Sequence, residues 1–253
     1  MTAIVRRPLT FGELLAVRVL AIETSGRVGS VALLDMSGGD PVALADRRLP
    51  VAERTARSLL PCVSDLLREH SWRPSDVELV CATTGPGSFT GLRIGVVAAK
   101  TFAYATGARL VGVHTLAAIA EGVGDRDQPL WAVLDAQRQE LFAARFGAPS
   151  ATAEQGEPAT AILAIADWFE RLAPGDVVAG PPLSKLREAL PAGVIVADEA
   201  AWSPTAAAVG RLGAQLAIAG RLTNPLELVP HYYRQSAAEE KAAAARKTGE
   251  RGA

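Results

Sequence analysis

One stretch, residues 83–120, constrains the fold most: TTGPGSFTGLRIGVVAAKTFAYATGARLVGVHTLAAIA joins a glycine-rich turn to a helix with almost no polar face. An apolar run, residues 79–82, ends at Thr83-Thr84. Gly85, Pro86, Gly87 and Ser88 then turn the chain so that Ser88 or Thr90 can cap the next helix. Wound at about 3.6 residues per turn, residues 89–106 place Leu92, Val96, Ala99 and Ala103 on one line, with Gly91, Gly95, Ala98 and Phe102 beside it. A third line, Thr90, Ile94, Val97, Thr101 and Tyr104, continues the apolar surface, and only Arg93 and Lys100 form a polar one. A helix on the outside of a parallel sheet needs a single apolar stripe, so this one is either deeply buried or docks something besides its own sheet. Gly91, Gly95, Ala99 and Ala103 recur at helical spacing and let another backbone approach closely, so packing on its own sheet is expected to use one face. The helix start suits an anion, but no lysine stands at the spacing of a P-loop, which favours plain N-capping.

Around this stretch the pattern repeats. Apolar runs at 19–24 and 28–34, joined through Ser25, Gly26 and Arg27, predict a strand pair, and 41–49 a weaker third strand. A helix is expected over about 55–70, kinked or effectively started at Pro61. Strand 79–83, the long helix, strand 110–113 and a helix from Thr115 complete a first lobe, residues 19–128. A second lobe, 129–234, follows: strands 130–135 and 140–146, a helix near 160–172, strand 176–179, a helix near 183–190, strand 194–197 and a helix over about 204–220. Two successive rounds predict a two-lobed α/β fold of the actin-like ATPase, RNase H-like class, with a degenerate second lobe. The Gly/Pro/Asp/Gln-rich segments 122–128 and 148–158 read as surface linkers, 1–18 as an N-terminal extension and 235–253 as a flexible tail. The core hairpin is expected to begin at Val19, leaving 1–17 dispensable.

Four segments together resemble the TsaB (YeaZ) family: GPGSFTGLRIG from Gly85, VLAIETS from Val19 to Ser25, AVLDAQRQELFAARF from Ala132 to Phe146, and Pro230-His231-Tyr232-Tyr233-Arg234. They run in order over nearly the whole chain. That family belongs to the bacterial machinery for N6-threonylcarbamoyladenosine in tRNA. The resemblance implies a non-catalytic subunit that binds and activates a TsaD-type paralogue, which transfers threonylcarbamoyl to adenosine 37, with a TsaE-type ATPase in the same complex and tRNA reached indirectly. On that reading the first-lobe helices dock the partner through Thr90, Ile94, Val97, Thr101 and Tyr104, with Leu59 and Val63 from the preceding helix. A homodimer through the same helix stays open. The rival reading is a small-molecule kinase or ATPase of the same fold, which would need a second-lobe Gly-Gly turn and an Asp-x-Gly phosphate loop.

The catalytic TsaD-type relative binds its metal through H-x-x-x-H on the helix after a Val-His strand end, and here Thr115 and Ile119 fall at those positions. Neither replaces an imidazole, and His114 reads as a hydrogen-bonded structural histidine. In the second lobe Ala179-Gly180-Pro181-Pro182 stands where a nucleotide-binding relative has its Gly-Gly turn. Glu23, Ser88 and Asp135 remain as a vestigial cleft; no metal ligand and no tightly bound cofactor are expected, with ATP and Mg entering only at the level of the complex. The chain departs from the family at Gln137 and Gln139, in place of Arg and Gly, and at Thr55, in place of His. If Gln139 keeps φ > 0 it carries local strain of order 1 kcal/mol, so a shifted or longer turn is an alternative.

With 253 residues, 49% hydrophobic and 21% charged, and a net charge of −1, the chain can bury a large core or two modest ones and has scattered cations, which disfavours strong RNA binding on its own. Cys62 and Cys81 lie in apolar runs without CxxC spacing and read as buried free thiols. No membrane span or secretory signal is indicated, and a cytoplasmic location is expected.

Overall fold

A computed structural model of the chain describes residues 17–36, 40–147 and 158–234. It contains two five-stranded mixed sheets, ordered β3-β2-β1-β4-β5 and β10-β9-β6-β7-β8. Counted from the first strand of each round, the order is the same. The strands of the first are β1 (Arg18–Glu23), β2 (Ser30–Asp35), β3 (Val42–Arg48), β4 (Leu79–Gly85) and β5 (Arg109–His114). Those of the second are β6 (Leu130–Gln137), β7 (Glu140–Phe146), β8 (Ala161–Ala164), β9 (Val177–Ala179) and β10 (Ile195–Val196). In each sheet the first strand pairs antiparallel with the second and parallel with the fourth. This is the two-lobed actin-like α/β arrangement that the duplicated pattern predicts.

The first sheet is covered on both faces, as the side-chain alternation of β1 dictates. Leu20 and Ile22 join a core with helices α1 (Thr55–Glu69) and α2 (Phe89–Thr106). Val19 and Ala21 point the other way, into a core with α6 (Ala206–Ile218). α6 comes very close to that face: a Cβ on Gly210 would sit 2.3 Å from Leu34 and one on Gly213 2.3 Å from Cys81 Sγ. α3 (Thr115–Val123) is shared, with Ala118 in this core and Leu116, Ile119 and Ala120 in the core of the second lobe around Trp168. The short helices α4 (Ile165–Arg171) and α5 (Leu183–Leu186) complete the second lobe.

The structure corrects several expectations. Residues 129–234 are not one lobe: α6 follows the second sheet in the chain but packs on the first, and residues after it return to the first lobe. Val17 belongs to the core rather than to an extension, being fully buried with its carbonyl accepting the Met36 N–H at 3.2 Å. α1 starts at Thr55 despite Pro61, which lies exposed on the helix, so the carbonyl that loses its donor faces water. The helix expected near 160–172 is split into β8 and α4, because Ala161–Ala164 pairs antiparallel with β7. At the second hairpin Gln137, Arg138 and Gln139 all adopt positive φ (65°, 56° and 61°), so the tight turn is kept without glycine and the strain is carried by three residues. Residues 1–16, most of the 148–158 linker and the 235–253 tail lie outside the described residues.

Candidate functional site

The glycine turn and α2 organise everything that faces outward. Ser88 Oγ accepts the Gly91 N–H at 3.2 Å, and Gly107, at φ 71°, closes the helix in the left-handed conformation. The small residues are used inside: a Cβ on Gly91 would lie 2.1 Å from the Thr24 carbonyl oxygen and one on Gly95 2.1 Å from Thr24 Oγ1. Ala99 and Ala103 continue this buried line over the first sheet. Close packing of α2 onto the end of β1 therefore consumes the glycine face.

The polar line is also occupied, by a segment that periodicity does not reveal. Residues 221–234 strap across both lobes. The Thr223 N–H donates to the Leu110 carbonyl at 2.7 Å, Lys100 Nζ donates to the carbonyls of Leu228 at 3.0 Å and Leu226 at 3.4 Å, and the His231 N–H donates to Thr84 at 2.7 Å. Arg93 lies 3.9 Å over the Phe89 ring and donates to Tyr232 Oη at 2.9 Å. Arg234 then reaches the second lobe, donating to the Ala136 carbonyl at 2.5 Å and pairing with Glu140. The Pro230–Arg234 string, noted only for its resemblance, is the signal that marked this strap.

What stays uncovered on α2 is the third line. Thr90, Val97, Thr101 and Tyr104 are exposed, Val97 by 61% and Tyr104 by 62%, while Ile94 is half-buried against the α1/α2 core. Leu59 and Val63 are corrected: they are 1% and 4% exposed in that core and present nothing outward. Leu60, one step around α1 and 59% exposed, is the apolar side chain that helix offers.

Glu23, Ser88 and Asp135 do not form one cleft. Glu23 lines a cavity of about 390 Å³ with the β1–β2 turn, β3 and, across the lobes, Leu134 and Pro181. Ser88 and Asp135 line another of about 580 Å³, between the glycine turn, the 135–138 hairpin and the strap. Glu23 is fully buried; its Oε1 accepts the Ser25 N–H at 2.6 Å, the Ser25 hydroxyl and the Gly26 N–H, while Oε2 has no partner. Burial, partly offset by the Ser25 hydrogen bonds, pushes its carboxyl up to about 7. Asp135 is exposed and accepts the Gln137 N–H at 2.7 Å.

His114 is the hydrogen-bonded structural histidine expected. Its Nε2 lies 2.9 Å from Tyr233 Oη and 3.1 Å from Thr160 Oγ1, and burial, with His231 nearby, pushes it down to about 3. Thr115 and Ile119 are fully buried.

An actin-like fold implies ATP with Mg between the lobes, and the residues here do not fit that group. The carboxylates of the two lobes line different cavities, and Pro181, which has no N–H to donate and adds bulk, lines the interlobe one. Among the described residues no group of three or more His, Cys, Asp or Glu could hold a metal ion, and no helix is long and apolar enough to cross a membrane.

Residues 50–189 match the family model of TsaD, tRNA N6-adenosine threonylcarbamoyltransferase. The chain belongs to that family, on its TsaB (YeaZ) branch. It is 29% identical to the tRNA threonylcarbamoyladenosine biosynthesis protein TsaB of Bacillus subtilis over 61% of this chain and 65% of the relative. Against the same-named Escherichia coli protein it is 32% identical, over 58% of this chain and 62% of the relative. The matches thus span just under two thirds of these curated relatives. YeaZ from Pseudomonas aeruginosa, at 26% identity, superposes with a TM-score of 0.67 over 85% of this chain and 99% of that one.

Proposed function

We propose that this chain is a non-catalytic subunit in the synthesis of N6-threonylcarbamoyladenosine at position 37 of tRNA, which binds a TsaD-type paralogue and holds it in its active arrangement. The observation that carries the reading is the outer line of α2: after the sheet has taken the glycine face and the strap the polar one, Val97 and Tyr104 remain exposed beside half-buried Ile94, with Leu60 of α1 near in the same layer. This line is read as the association surface because its exposed apolar side chains fall on one helix face rather than being scattered singly. The TsaB relatives point to the pathway, and the paralogue is the partner the family resemblance implies. A TsaE-type ATPase joins the complex, and tRNA is contacted through it, because a net charge of −1 with dispersed cations gives this chain little phosphate affinity of its own.

The test is titration and sedimentation of the full chain with the TsaD-type paralogue from the same genome. Wild type should form a heterodimer and Ile94→Asp should not at the same concentration. Equal binding by the two would remove α2 from the interface, and self-association without heterodimer would make the face a homodimer contact instead.

A further inference from the structure

We propose that the cleft beside Glu23 is a binding site for a small zwitterion of the α-amino-acid type with an apolar side chain, held between the two lobes. The first observation is the orphaned carboxylate oxygen: Glu23 is fully buried, its Oε1 is saturated by the Ser25–Gly26 turn, and Oε2 has no donor although the residue lines an open cavity. A buried carboxylate oxygen left unpaired costs stability, and an ammonium supplies donors and a counter-charge together. The second observation is the composition of the rest of the wall. Asp46 also lines the cavity, its Oδ2 accepting the Ala207 N–H at 3.4 Å and its other oxygen left for a donor, while Arg27 and Arg48 line it too and can hold a carboxylate by paired N–H donors. A wall carrying both acids and guanidinium groups offers partners to both ends of a zwitterion, whereas a phosphate ester without an amine or a bare cation would use only one kind. Leu134 and Pro181, from the second lobe, give the apolar part. The volume, about 390 Å³, lies in the range of small-ligand sites and holds a molecule of leucine's size.

Because burial holds the Glu23 carboxyl near neutral pKa, about 7, an ammonium beside Oε2 would also favour its ionised form. Bound ligand would touch both lobes, so occupancy and lobe orientation would be linked. This site is separate from the outer line of α2, so its failure would leave the proposed docking reading untouched.

The experiment is calorimetric titration of the full chain at neutral pH with L-leucine, with 4-methylpentanoate, which lacks the ammonium, with 3-methylbutylamine, which lacks the carboxylate, and with ADP·Mg. L-Leucine should bind saturably at one site and each half-molecule at least about tenfold more weakly, since each leaves a charged pair unmade. Glu23→Gln and Arg48→Ala should each weaken L-leucine binding by about tenfold or more. Arg48 is exposed, so its variant keeps the fold and decides the matter if Glu23→Gln does not fold. No saturable heat with L-leucine up to about 20 mM, well above the weakest affinities of functional sites, overturns the proposal, as do half-molecules that bind equally, Arg48→Ala binding as wild type, or ADP·Mg binding in preference.

Discussion

The inner and outer lines of α2 are nearly equal in their lack of charge, yet one is closed to any partner and the other is open. Gly91 and Gly95 lie so close to Thr24, at the end of β1, that a single methyl group on Gly91 would fall 2.1 Å from the Thr24 carbonyl oxygen, and Ala99 and Ala103 continue the line into the core. Thr90, Val97, Thr101 and Tyr104 meet no such neighbour. The lesson is that an apolar helix face identifies a docking surface only after every covering element of the chain itself has been placed. The sharpest way to break the comparison is therefore Gly91→Ala, whose clash is with backbone rather than with a flexible side-chain tip. It should cost about 3 kcal/mol or more and lower the thermal midpoint by roughly 10 °C, whereas Thr101→Ala on the outer line should stay within about 0.5 kcal/mol. A Gly91→Ala midpoint equal to wild type, read by circular dichroism, would mean that the inner line is as open as the outer.

The inner side can also be probed by pH, through two buried groups at its borders. Glu23, beside Thr24, has its carboxyl raised from 4.5 to about 7 in the folded chain, mainly by burial, so its contribution is complete below pH 4.5 and lost as pH rises through 7. His114, bonded to the strap, is lowered from 6.5 to about 3, mainly by burial, so its contribution is complete above pH 6.5 and lost as pH falls toward 3. Between pH 4.5 and 6.5 the folded chain holds one proton more at Glu23 and one fewer at His114, and the two slopes cancel. Glu23→Gln removes one of them. Urea unfolding of that variant should then gain roughly 3 kcal/mol more than wild type between pH 4.5 and 6.5. Parallel profiles for the two proteins would show that Glu23 does not titrate in this range.

How much of this was legible in the sequence follows the same division. Lines on one helix are fixed by its period, so the small, polar and outer lines of α2 could be written down from residues 89–106 alone, and both hairpins from apolar runs joined by short turns. Return paths could not. α6 stands after the second sheet in the chain, and nothing in Ala206–Ile218 says that it will cover the first; residues 221–234 have no period at all, so the cover they give Arg93 and Lys100 was invisible. Leu59 and Val63, expected at the docking face, are buried instead, because only the position of the sheet tells which leucine of the Leu59-Leu60 pair faces it. The four residues Ala161–Ala164 are too few to distinguish a strand from a helix start. Glu23 and Asp135, expected in one vestigial cleft, line two different cavities, which their places in the two rounds do not reveal.

The outer line itself is tested by Ile94→Asp. Its side chain is half-buried and touches the α1/α2 core, so a carboxylate there costs the monomer something but still reaches water; the interface, where it would be covered, loses more. Affinity for the TsaD-type paralogue should fall about a hundredfold, with the monomer still folded. Leu60→Asp, fully off the buried stripe, should weaken binding without moving the thermal midpoint, which separates loss of docking from loss of fold.

The smallest effect is expected from Lys100→Ala, on the line that the strap occupies. Lys100 Nζ holds the Leu226 and Leu228 carbonyls and faces no partner on the docking side, so its removal should loosen the strap by about 1 kcal/mol and lower the thermal midpoint by roughly 3 °C. Affinity for the paralogue should change by less than about threefold, well under the loss at Ile94. Leu226, Val229 and Tyr232 on the strap are themselves 72%, 56% and 44% exposed, so a contrary result has a ready physical source. If Lys100→Ala weakens binding as much as Ile94→Asp while the midpoint barely moves, the strap is part of the docking surface and the polar and outer lines of α2 serve one partner together.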